Sequence, residues 1–191
     1  MCAGLVGLTD RPGSLLASVN YFGAIDLLEL LRPQLANPSA AVLLSSNSVT
    51  IQPGWDESLL DACVEGNEAL AREIADRRDS MSAYPATKAA LARWVRRNAP
   101  AWAADGIRVN AIAPGMVETP LSQSVRDDPQ LGKLMDALPI PVGRGAAPEE
   151  IAAFIAFLLG EQGRFFCGSV LLIDGGSEAV LRPDAWPARW G

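Results

Sequence analysis

Tyr84 and Lys88 lie four positions apart in the segment SAYPATKAAL, residues 82–91. On an α-helix, residues i and i+4 share one face. An ammonium group beside a phenol favours the phenolate and lowers the tyrosine pKa from its ordinary value of about 10. The pair is therefore a candidate for proton transfer at neutral pH. An ordinary helix with a packed tyrosine and a solvated lysine has the same pattern.

The composition excludes several other kinds of chemistry. The 191 residues contain no histidine, which excludes Ser-His-Asp and Cys-His hydrolysis and the usual zinc and facial-triad iron sites. Cys2, Cys63 and Cys167 are scattered, so they indicate free thiols in a reducing compartment rather than a disulfide framework or a CxxC motif. We therefore predict no metal site, and any acid–base chemistry must use another side chain.

Charge and hydropathy bear on location and partners. The net charge is -6 and the basic residues form no dense stripe, which argues against a nucleic-acid partner. The longest unbroken apolar run, residues 151–159, is shorter than the roughly 18 residues that a membrane span requires. The N-terminal residues do not have the pattern of a signal peptide. We predict a cytoplasmic protein with no membrane partner.

Polar residues at the ends of predicted elements add to the tyrosine and lysine. Ser46 ends a predicted buried strand, where a hydroxyl can hydrogen-bond a substrate oxygen. Asn20 lies within a predicted helix, and its amide requires partners if it is buried. Pro114 and Gly115 end another strand, where a turn lets the backbone approach a ligand closely. Each residue also has a purely structural interpretation, as a turn residue or as an amide bonded to a neighbouring carbonyl.

The apolar pattern predicts alternating helices and strands in one domain, residues 1–191. In chain order the predicted elements are a helix over 14–35 with Ser14 as N-cap, a strand over 40–46, a helix over 58–79, a helix over 82–99 that Pro100 ends or kinks, a strand over 107–115, a short helix over 130–137, a helix from Pro148 to Gly160 and a strand over 169–174. Such alternation is typical of an α/β fold with a parallel sheet covered on both faces. Ligands in such sheets bind outside the carboxyl ends of the strands.

Taken in order, the segments SVNYFG, LLSS, YPATK, RVNAIAPGMVETPL and LLIDGG resemble the motif set of the short-chain dehydrogenase/reductase family. The resemblance extends from residue 2 to the end of the chain. It implies a Rossmann-like doubly wound parallel sheet. It also implies an enzyme that transfers a hydride between a nicotinamide cofactor and a secondary alcohol or carbonyl compound.

The resemblance assigns roles to individual residues. Tyr84 matches the proton donor and acceptor, and Lys88 matches the residue that lowers its pKa and holds the nicotinamide ribose. Ser46 matches the residue that positions the substrate oxygen, and Asn20 matches the asparagine that holds a water in the proton relay. The implied cofactor-binding residues are Ala3, Gly4, Tyr84, Lys88, Pro114, Gly115, Val117 and Thr119.

A narrower resemblance follows from the 38 positions between Ser46 and Tyr84, which leave room for a helical insertion at about residues 55–80. With CAGL, the helix after it and the tail IDGGSEAVLRPDAW, this makes the chain similar to the bacterial 3α-hydroxysteroid dehydrogenase/carbonyl reductase subgroup. The resemblance implies a small alcohol or carbonyl substrate, with steroids among the candidates. Family members usually form homo-oligomers, and we expect one here.

The family's Gly-rich turn and first three strands have no counterpart in these residues. That region binds the pyrophosphate and selects the cofactor. We therefore expect a sheet without those strands and weak or no cofactor binding by residues 1–191 alone. NAD or NADP remains open, with NAD favoured. Either Met1 is a start placed too late in a longer reading frame, which we favour, or the chain is a non-catalytic fragment or oligomerisation module.

Overall fold

Three parallel strands form the centre of the structure. The computed structural model describes residues 4–8, 11–52 and 54–185. Within these residues, β1 (Ser39–Leu44), β2 (Ile107–Pro114) and β3 (Val170–Ile173) pair in the order β1-β2-β3. Both pairs are parallel, and β2 lies between the other two strands. The sheet confirms the predicted α/β class and its parallel arrangement.

Helices connect and cover the strands. In the described residues they are α1 (Gly13–Leu16), α2 (Gly23–Leu31), α3 (Ser48–Ile51), α4 (Glu57–Val64), α5 (Glu68–Asp76), α6 (Ser80–Ala104), α7 (Pro120–Arg126), α8 (Leu131–Asp136), α9 (Pro148–Leu159) and α10 (Ser177–Leu181). A π-helical segment, Ala17–Phe22, joins α1 to α2. The short elements α3, α7 and α10 were not predicted from the sequence, whereas α9 begins at Pro148 as predicted.

Alternate strand residues face two separate parts of the core. On β1, Leu43 packs in a cluster with residues of α2, α4 and α6, and the preceding Val42 packs in a second cluster with α9. On β2, Ala111 belongs to the first cluster and Ile112 to the second. Successive side chains of a strand point to opposite faces. Helices therefore cover both faces of the sheet, which explains why the strands are mostly apolar.

The segment predicted as one helix over residues 14–35 changes its pitch. Its α-helical ends flank the π-helical segment Ala17–Phe22. The prediction of Ser14 as N-cap is wrong, because Pro12 occupies that position and provides no capping side chain. The Ser14 N–H donates instead to Asp76 Oδ1 at 2.8 Å. The capping acceptor therefore comes from a distant helix.

The segment predicted as one helix over residues 58–79 forms two helices, α4 and α5. Gly66 follows α4 with φ of 76°, in the left-handed region that favours glycine. The Asn67 side chain then accepts a hydrogen bond from the Leu70 N–H at 3.1 Å and caps α5. The prediction of one helix is therefore wrong, because this Gly-Asn pair ends one helix and begins the next.

Helix α6 is longer than the predicted range of residues 82–99. Asp79 caps its first turn by accepting a hydrogen bond from the Ser82 N–H at 2.7 Å. Pro100 lies inside α6, which continues to Ala104, so the alternative that Pro100 ends the helix is wrong and the alternative of a kink stays a prediction. Packing sustains the C-terminal turns beyond the proline, since Trp102 is fully buried there.

The helical stretch from Gly13 to Gln34 is long and apolar enough to cross a membrane by length and composition. Core helices of globular proteins meet the same criterion, and 44% of its most apolar window is buried within the protein. Its residues Ala17 and Leu28 belong to the core cluster that α6 also lines. These contacts favour a core helix, and the expected absence of a membrane partner stays a prediction.

Helices α1 and α5 approach each other at Gly13. A Cβ atom built on Gly13 would lie 2.6 Å from the Ala75 carbonyl carbon and closer still to its oxygen. Gly13→Ala should therefore lower the free energy of unfolding by about 1–3 kcal/mol, the usual range for overpacking. Chemical denaturation monitored by circular dichroism would measure the change.

The matched control is Gly23→Ala in α2. The nearest atom to a Cβ there is the Ser18 carbonyl oxygen at 3.2 Å, and alanine has the better helix propensity by about 1 kcal/mol. We expect Gly23→Ala to change the stability by less than about 1 kcal/mol. Equal effects of the two substitutions would contradict the close packing of α1 on α5.

Candidate active site

Ser46 and Tyr84 meet at the carboxyl end of β1. Ser46 follows the strand by two residues and is 8% exposed, and Tyr84 lies in the first turns of α6. The Ser46 side chain lies close enough to the Tyr84 phenol for a hydrogen-bonding interaction that lowers the pKa of Tyr84. Ser46 Oγ also accepts a hydrogen bond from the Ser48 N–H at 3.2 Å. The serine is thereby oriented toward the tyrosine.

Lys88 lies one turn along α6 from Tyr84, as the spacing predicts. Its side chain is buried, and Nζ lies 5.8 Å from the centroid of the Tyr84 ring. The amine donates to the Leu44 carbonyl oxygen at 3.0 Å. Burial lowers the pKa of Lys88 to about 8. The structure therefore holds an ammonium group in a site where its charge is unfavourable.

The expected lowering of the Tyr84 pKa by Lys88 is not present in this arrangement. Burial has the largest effect and raises the pKa of Tyr84 above its ordinary value, while the hydrogen bond from Ser46 opposes it. The ammonium is directed at the Leu44 carbonyl rather than at the phenol oxygen. Burial therefore favours the protonated form of Tyr84, and a closer positive charge would be needed to stabilise the phenolate.

Asn20 lies in the π-helical segment and holds the chain segment 4–8 in place. Its Oδ1 accepts from the Leu5 N–H at 2.7 Å, and its Nδ2 donates to the Leu5 carbonyl at 2.9 Å. Asn20 is 1% exposed, so both polar atoms are satisfied away from solvent. Each amide atom makes one of the two hydrogen bonds open to it, so the predicted water of a proton relay stays a prediction.

Gly4 places the chain directly against this group. A Cβ atom at Gly4 would lie 3.2 Å from Asn20 Oδ1 and 3.4 Å from Lys88 Nζ. The structure thus brings Gly4, Asn20 and Lys88 together, in addition to Ser46 and Tyr84. Ala3, the other cofactor-binding residue predicted in this segment, lies outside the described residues.

Gly115 marks a second group at the ends of the strands. A Cβ atom on Gly115 would lie 2.8 Å from Asp174 Cα and 3.2 Å from Asn47 Nδ2. The Asn47 N–H donates to the Pro114 carbonyl, and the Gly115 N–H donates to the Ile173 carbonyl, both at 2.9 Å. The sheet ladder therefore continues past the strand ends. Gly115 lies at a close approach to the Asp174 backbone, and the predicted approach to a ligand stays a prediction.

Val117 and Thr119 lie farther along the same loop. Val117 forms an isolated parallel bridge with Ala146 and packs against the core cluster of α9. Thr119 caps α7, since its Oγ1 accepts from the Ser122 N–H at 3.2 Å and its own N–H donates to Ser122 Oγ at 3.0 Å. The hydroxyl of Thr119 thus already has a structural partner. Within the part of the chain that the structure describes, neither side chain forms a hydrogen bond with Ser46, Tyr84 or Lys88.

Three further residues support this site. Ser45 and Asn47 lie just after a buried strand, where the sequence predicts informative residues but assigns these two no role. Ser45 Oγ donates to the Lys88 carbonyl at 2.8 Å and so joins β1 to α6. Asn47 is 6% exposed, and its buried Nδ2 has no hydrogen-bond partner among the described residues. Sequence reasoning missed Gln52, which ends the unpredicted helix α3 and whose Nε2 donates to the Met81 carbonyl at 2.9 Å.

The buried Lys88 gives a pH-dependent stability. Between the folded pKa of about 8 and the ordinary value of 10.5, the unfolded chain binds a proton at Lys88 that the folded chain does not. The free energy of unfolding should therefore rise with pH through this window, by about 3 kcal/mol in total. Lys88→Met should lack this rise, as denaturant unfolding from pH 7 to 10.5 would reveal.

Lys133 provides the matched control because it is exposed on α8 and is the other lysine of the chain. Lys133→Met should retain the wild-type pH profile, whereas Lys88→Met should gain stability relative to wild type at pH 7. Parallel profiles for Lys88→Met and wild type above pH 8 would contradict the buried ammonium.

Comparisons with known proteins place this geometry in a family. A family model described as enoyl-(acyl carrier protein) reductase matches residues 71–178. The 3-alpha-hydroxysteroid dehydrogenase/carbonyl reductase of Comamonas testosteroni is 40% identical over 190 residues, which cover 96% of this chain and 73% of that protein. A second relative, the cis-4-hydroxycyclohexanecarboxylate dehydrogenase of Sinomonas cyclohexanicum, is 44% identical over 52% of this chain and 39% of its own length.

Solved structures agree with the sequence relatives. The 3-alpha-hydroxysteroid dehydrogenase of Pseudomonas sp. B-0831, complexed with NADH, has a TM-score of 0.91 and 42% identity, and the match covers 97% of this chain and 74% of that chain. The structure of BdcA in complex with NADPH has a TM-score of 0.67 at 21% identity over 91% of this chain and 63% of that one, which supports the fold alone. The chain belongs to the short-chain dehydrogenase/reductase family of oxidoreductases.

Proposed function

We propose that this oxidoreductase interconverts a secondary alcohol and its carbonyl compound with a nicotinamide cofactor, and that Tyr84 exchanges the proton. The observation that carries the proposal is the convergence of three residues: Ser46 at the end of β1 lowers the pKa of Tyr84, and the buried Lys88 lies one helical turn from that tyrosine with Nζ 5.8 Å from its ring centroid. These groups meet at the carboxyl ends of parallel strands, where such sheets bind ligands. With no histidine in the chain, Tyr84 is the best-placed acid–base group.

In carbonyl reduction, the Tyr84 hydroxyl would donate its proton to the substrate oxygen while hydride reaches the carbonyl carbon. Ser46 would donate a hydrogen bond to the same oxygen as negative charge develops there. Lys88 would favour the resulting phenolate through its positive charge once it turned from the Leu44 carbonyl toward Tyr84. In alcohol oxidation the steps run in reverse. The nicotinamide ring, when bound, supplies or accepts the hydride, and the chain's residues position the substrate and move the proton.

Two features support a nicotinamide cofactor. The absence of a side chain at Gly4 leaves Asn20 and Lys88 uncrowded, since a Cβ atom there would lie 3.2 Å from Asn20 Oδ1 and 3.4 Å from Lys88 Nζ. The unpartnered Asn47 Nδ2 is a buried donor at this edge that an acceptor oxygen would satisfy.

We assign the parts of the cofactor to these residues. Tyr84 and Lys88 would hold the nicotinamide ribose. The segment containing Pro114, Gly115, Val117 and Thr119 would hold the carboxamide. Ala3 and Gly4 would lie near the adenosine ribose. NAD is favoured over NADP, because NADH is bound in the 42% identical Pseudomonas structure.

For the substrates we propose 3α-hydroxysteroids in the oxidative direction, and assorted ketones and aldehydes in the reductive direction. The support is the similarity to the 3-alpha-hydroxysteroid dehydrogenase/carbonyl reductase of Comamonas testosteroni, which is 40% identical over 96% of this chain. We further propose a cytoplasmic homo-oligomer of single-domain subunits, in which residues 55–80 form an insertion in the family fold. A non-catalytic module that only associates with another copy or with a full-length relative is the alternative.

Tyr84→Phe tests the catalytic assignment. It removes the proton-transfer group but keeps the ring, so we expect turnover to fall at least about a hundredfold. Circular dichroism and the oligomeric state should remain those of the wild type. The assay follows NADH absorbance with alcohol or ketone substrates at several cofactor concentrations, because residues 1–191 alone are expected to bind cofactor weakly.

Tyr21→Phe is the matched control, since Tyr21 is the other tyrosine of the chain and is buried against Phe22. It should leave turnover within about threefold of wild type, because Tyr21 takes no part in the proposed chemistry. Equal activity in Tyr84→Phe and wild type would overturn the assignment. No turnover in any of the three proteins, with normal folding, would favour the non-catalytic alternative.

The substrate proposal has its own test. Initial rates with a 3α-hydroxysteroid and with simple secondary alcohols would be compared at equal cofactor concentration. We expect the steroid to give the higher kcat/KM, because more apolar area is buried when it binds. Steady activity on non-steroid alcohols with none on 3α-hydroxysteroids would refute the steroid assignment and leave the oxidoreductase function intact.

A further inference from the structure

Helix α5 makes polar contacts with the helical stretch that carries Asn20. Ser18 Oγ donates to Glu68 Oε1 at 2.5 Å and accepts from Arg72 at 2.5 Å. Asp76 Oδ1 accepts the N–H of Ser14 at 2.8 Å. Glu68 and Asp76 lie at the two ends of α5, so the contacts hold the stretch at two points.

The same helix packs tightly on α1. Gly13 lies so close to the Ala75 backbone that no side chain fits between them. Ala71 and Ala75, which lie one turn apart on α5, are fully buried. Since α1 has no capping side chain of its own, its first turn depends on the acceptor from α5.

The contacts continue from this stretch to Lys88. Asn20 follows Ser18 by two residues and clamps both backbone polar groups of Leu5. Gly4, the neighbour of Leu5, lies against both Asn20 and Lys88. A displacement of the Asn20 stretch would therefore move the chain segment that covers the lysine.

We propose that α5 is a brace for the active site, in which Glu68 and Asp76 are positioning residues that keep Lys88 covered through Asn20 and Leu5. Neither acid touches the reacting groups. Their effect passes through the placement of the helical stretch from Gly13 onward. The proposal does not depend on hydride transfer, because it concerns the packing of the chain without cofactor or substrate.

The chain has two lysines, which makes Lys88 directly measurable. A small amine-reactive reagent would acylate the two lysines, and mass spectrometry would quantify acylation at Lys88 and at Lys133. The extent at Lys88 reports how often its amine becomes accessible to solvent. The double variant Glu68→Ala/Asp76→Ala should raise the Lys88 to Lys133 ratio about tenfold, through more frequent local opening. The conservative pair Glu68→Gln/Asp76→Asn keeps both acceptors and should restore most of the protection.

Two control variants distinguish the effect of losing the brace contacts from the effect of a lower global stability on the acylation ratio. Asp61→Ala removes an acid of α4 that forms an exposed pair with Arg93, and it should leave the ratio unchanged. Ile151→Val destabilises the second core cluster, away from α5, and should raise the ratio no more than its loss of global stability requires. An equal ratio in the brace variant and in Ile151→Val at matched stability would overturn the proposal.

Hydrogen exchange on the wild-type protein provides a second measurement if the double variant fails to fold. The amides of Leu5, Ser14 and Ala71 should open with one common free energy if α5, the Asn20 stretch and the segment over Lys88 move together. Exchange at Leu5 that is more than about a hundredfold faster than at Ala71, after correction for intrinsic rates, would overturn the brace.

Discussion

The hydrogen bond from the Lys88 ammonium to the Leu44 carbonyl is the contact on which the site depends. Leu44 ends β1 and Lys88 lies on α6, so this bond fixes the distance between the strand and the helix. The bond from Ser45 to the Lys88 carbonyl fixes the same junction a second time. Ser46 can then reach Tyr84 only because both elements are held in this register. A buried cation lowers stability at neutral pH, and the surrounding packing has to offset that cost.

Residues from separate parts of the chain cover the junction between β1 and α6. Asn20 lies in the π-helical segment and bonds both backbone polar groups of Leu5 through its amide. Such segments are rare and occur often at functional sites. The stretch receives its capping acceptor from α5 rather than from its own sequence. Accurate placement of Lys88 therefore requires contacts across the α/β unit, which explains why the catalytic motif alone does not define the site.

Sequence reasoning recovered the parts of the structure that local pattern determines. The strands were predicted because apolar runs covered on both faces are recognisable, and Ser46, Tyr84 and Lys88 because motif order placed them at strand and helix ends. The break at Gly66 and the capping of α1 by Asp76 were missed. The first depends on a Gly-Asn pair within a polar helix pattern, and the second joins residues 62 positions apart. The Leu44 carbonyl was also missed, because a backbone group has no signal in side-chain composition.

The two shifted pKa values bear on the direction of catalysis. Burial keeps the proton on Tyr84 and removes it more readily from Lys88. A protonated phenol is suited to donate to a carbonyl oxygen, as the proposed reduction requires. Oxidation needs the phenolate, which a positive charge close to the phenol oxygen would stabilise. The ammonium cannot supply it while it is bound to Leu44 and loses its proton above about pH 8. The oxidative direction therefore requires Lys88 to turn toward Tyr84, or a cationic ligand to bind beside the phenol.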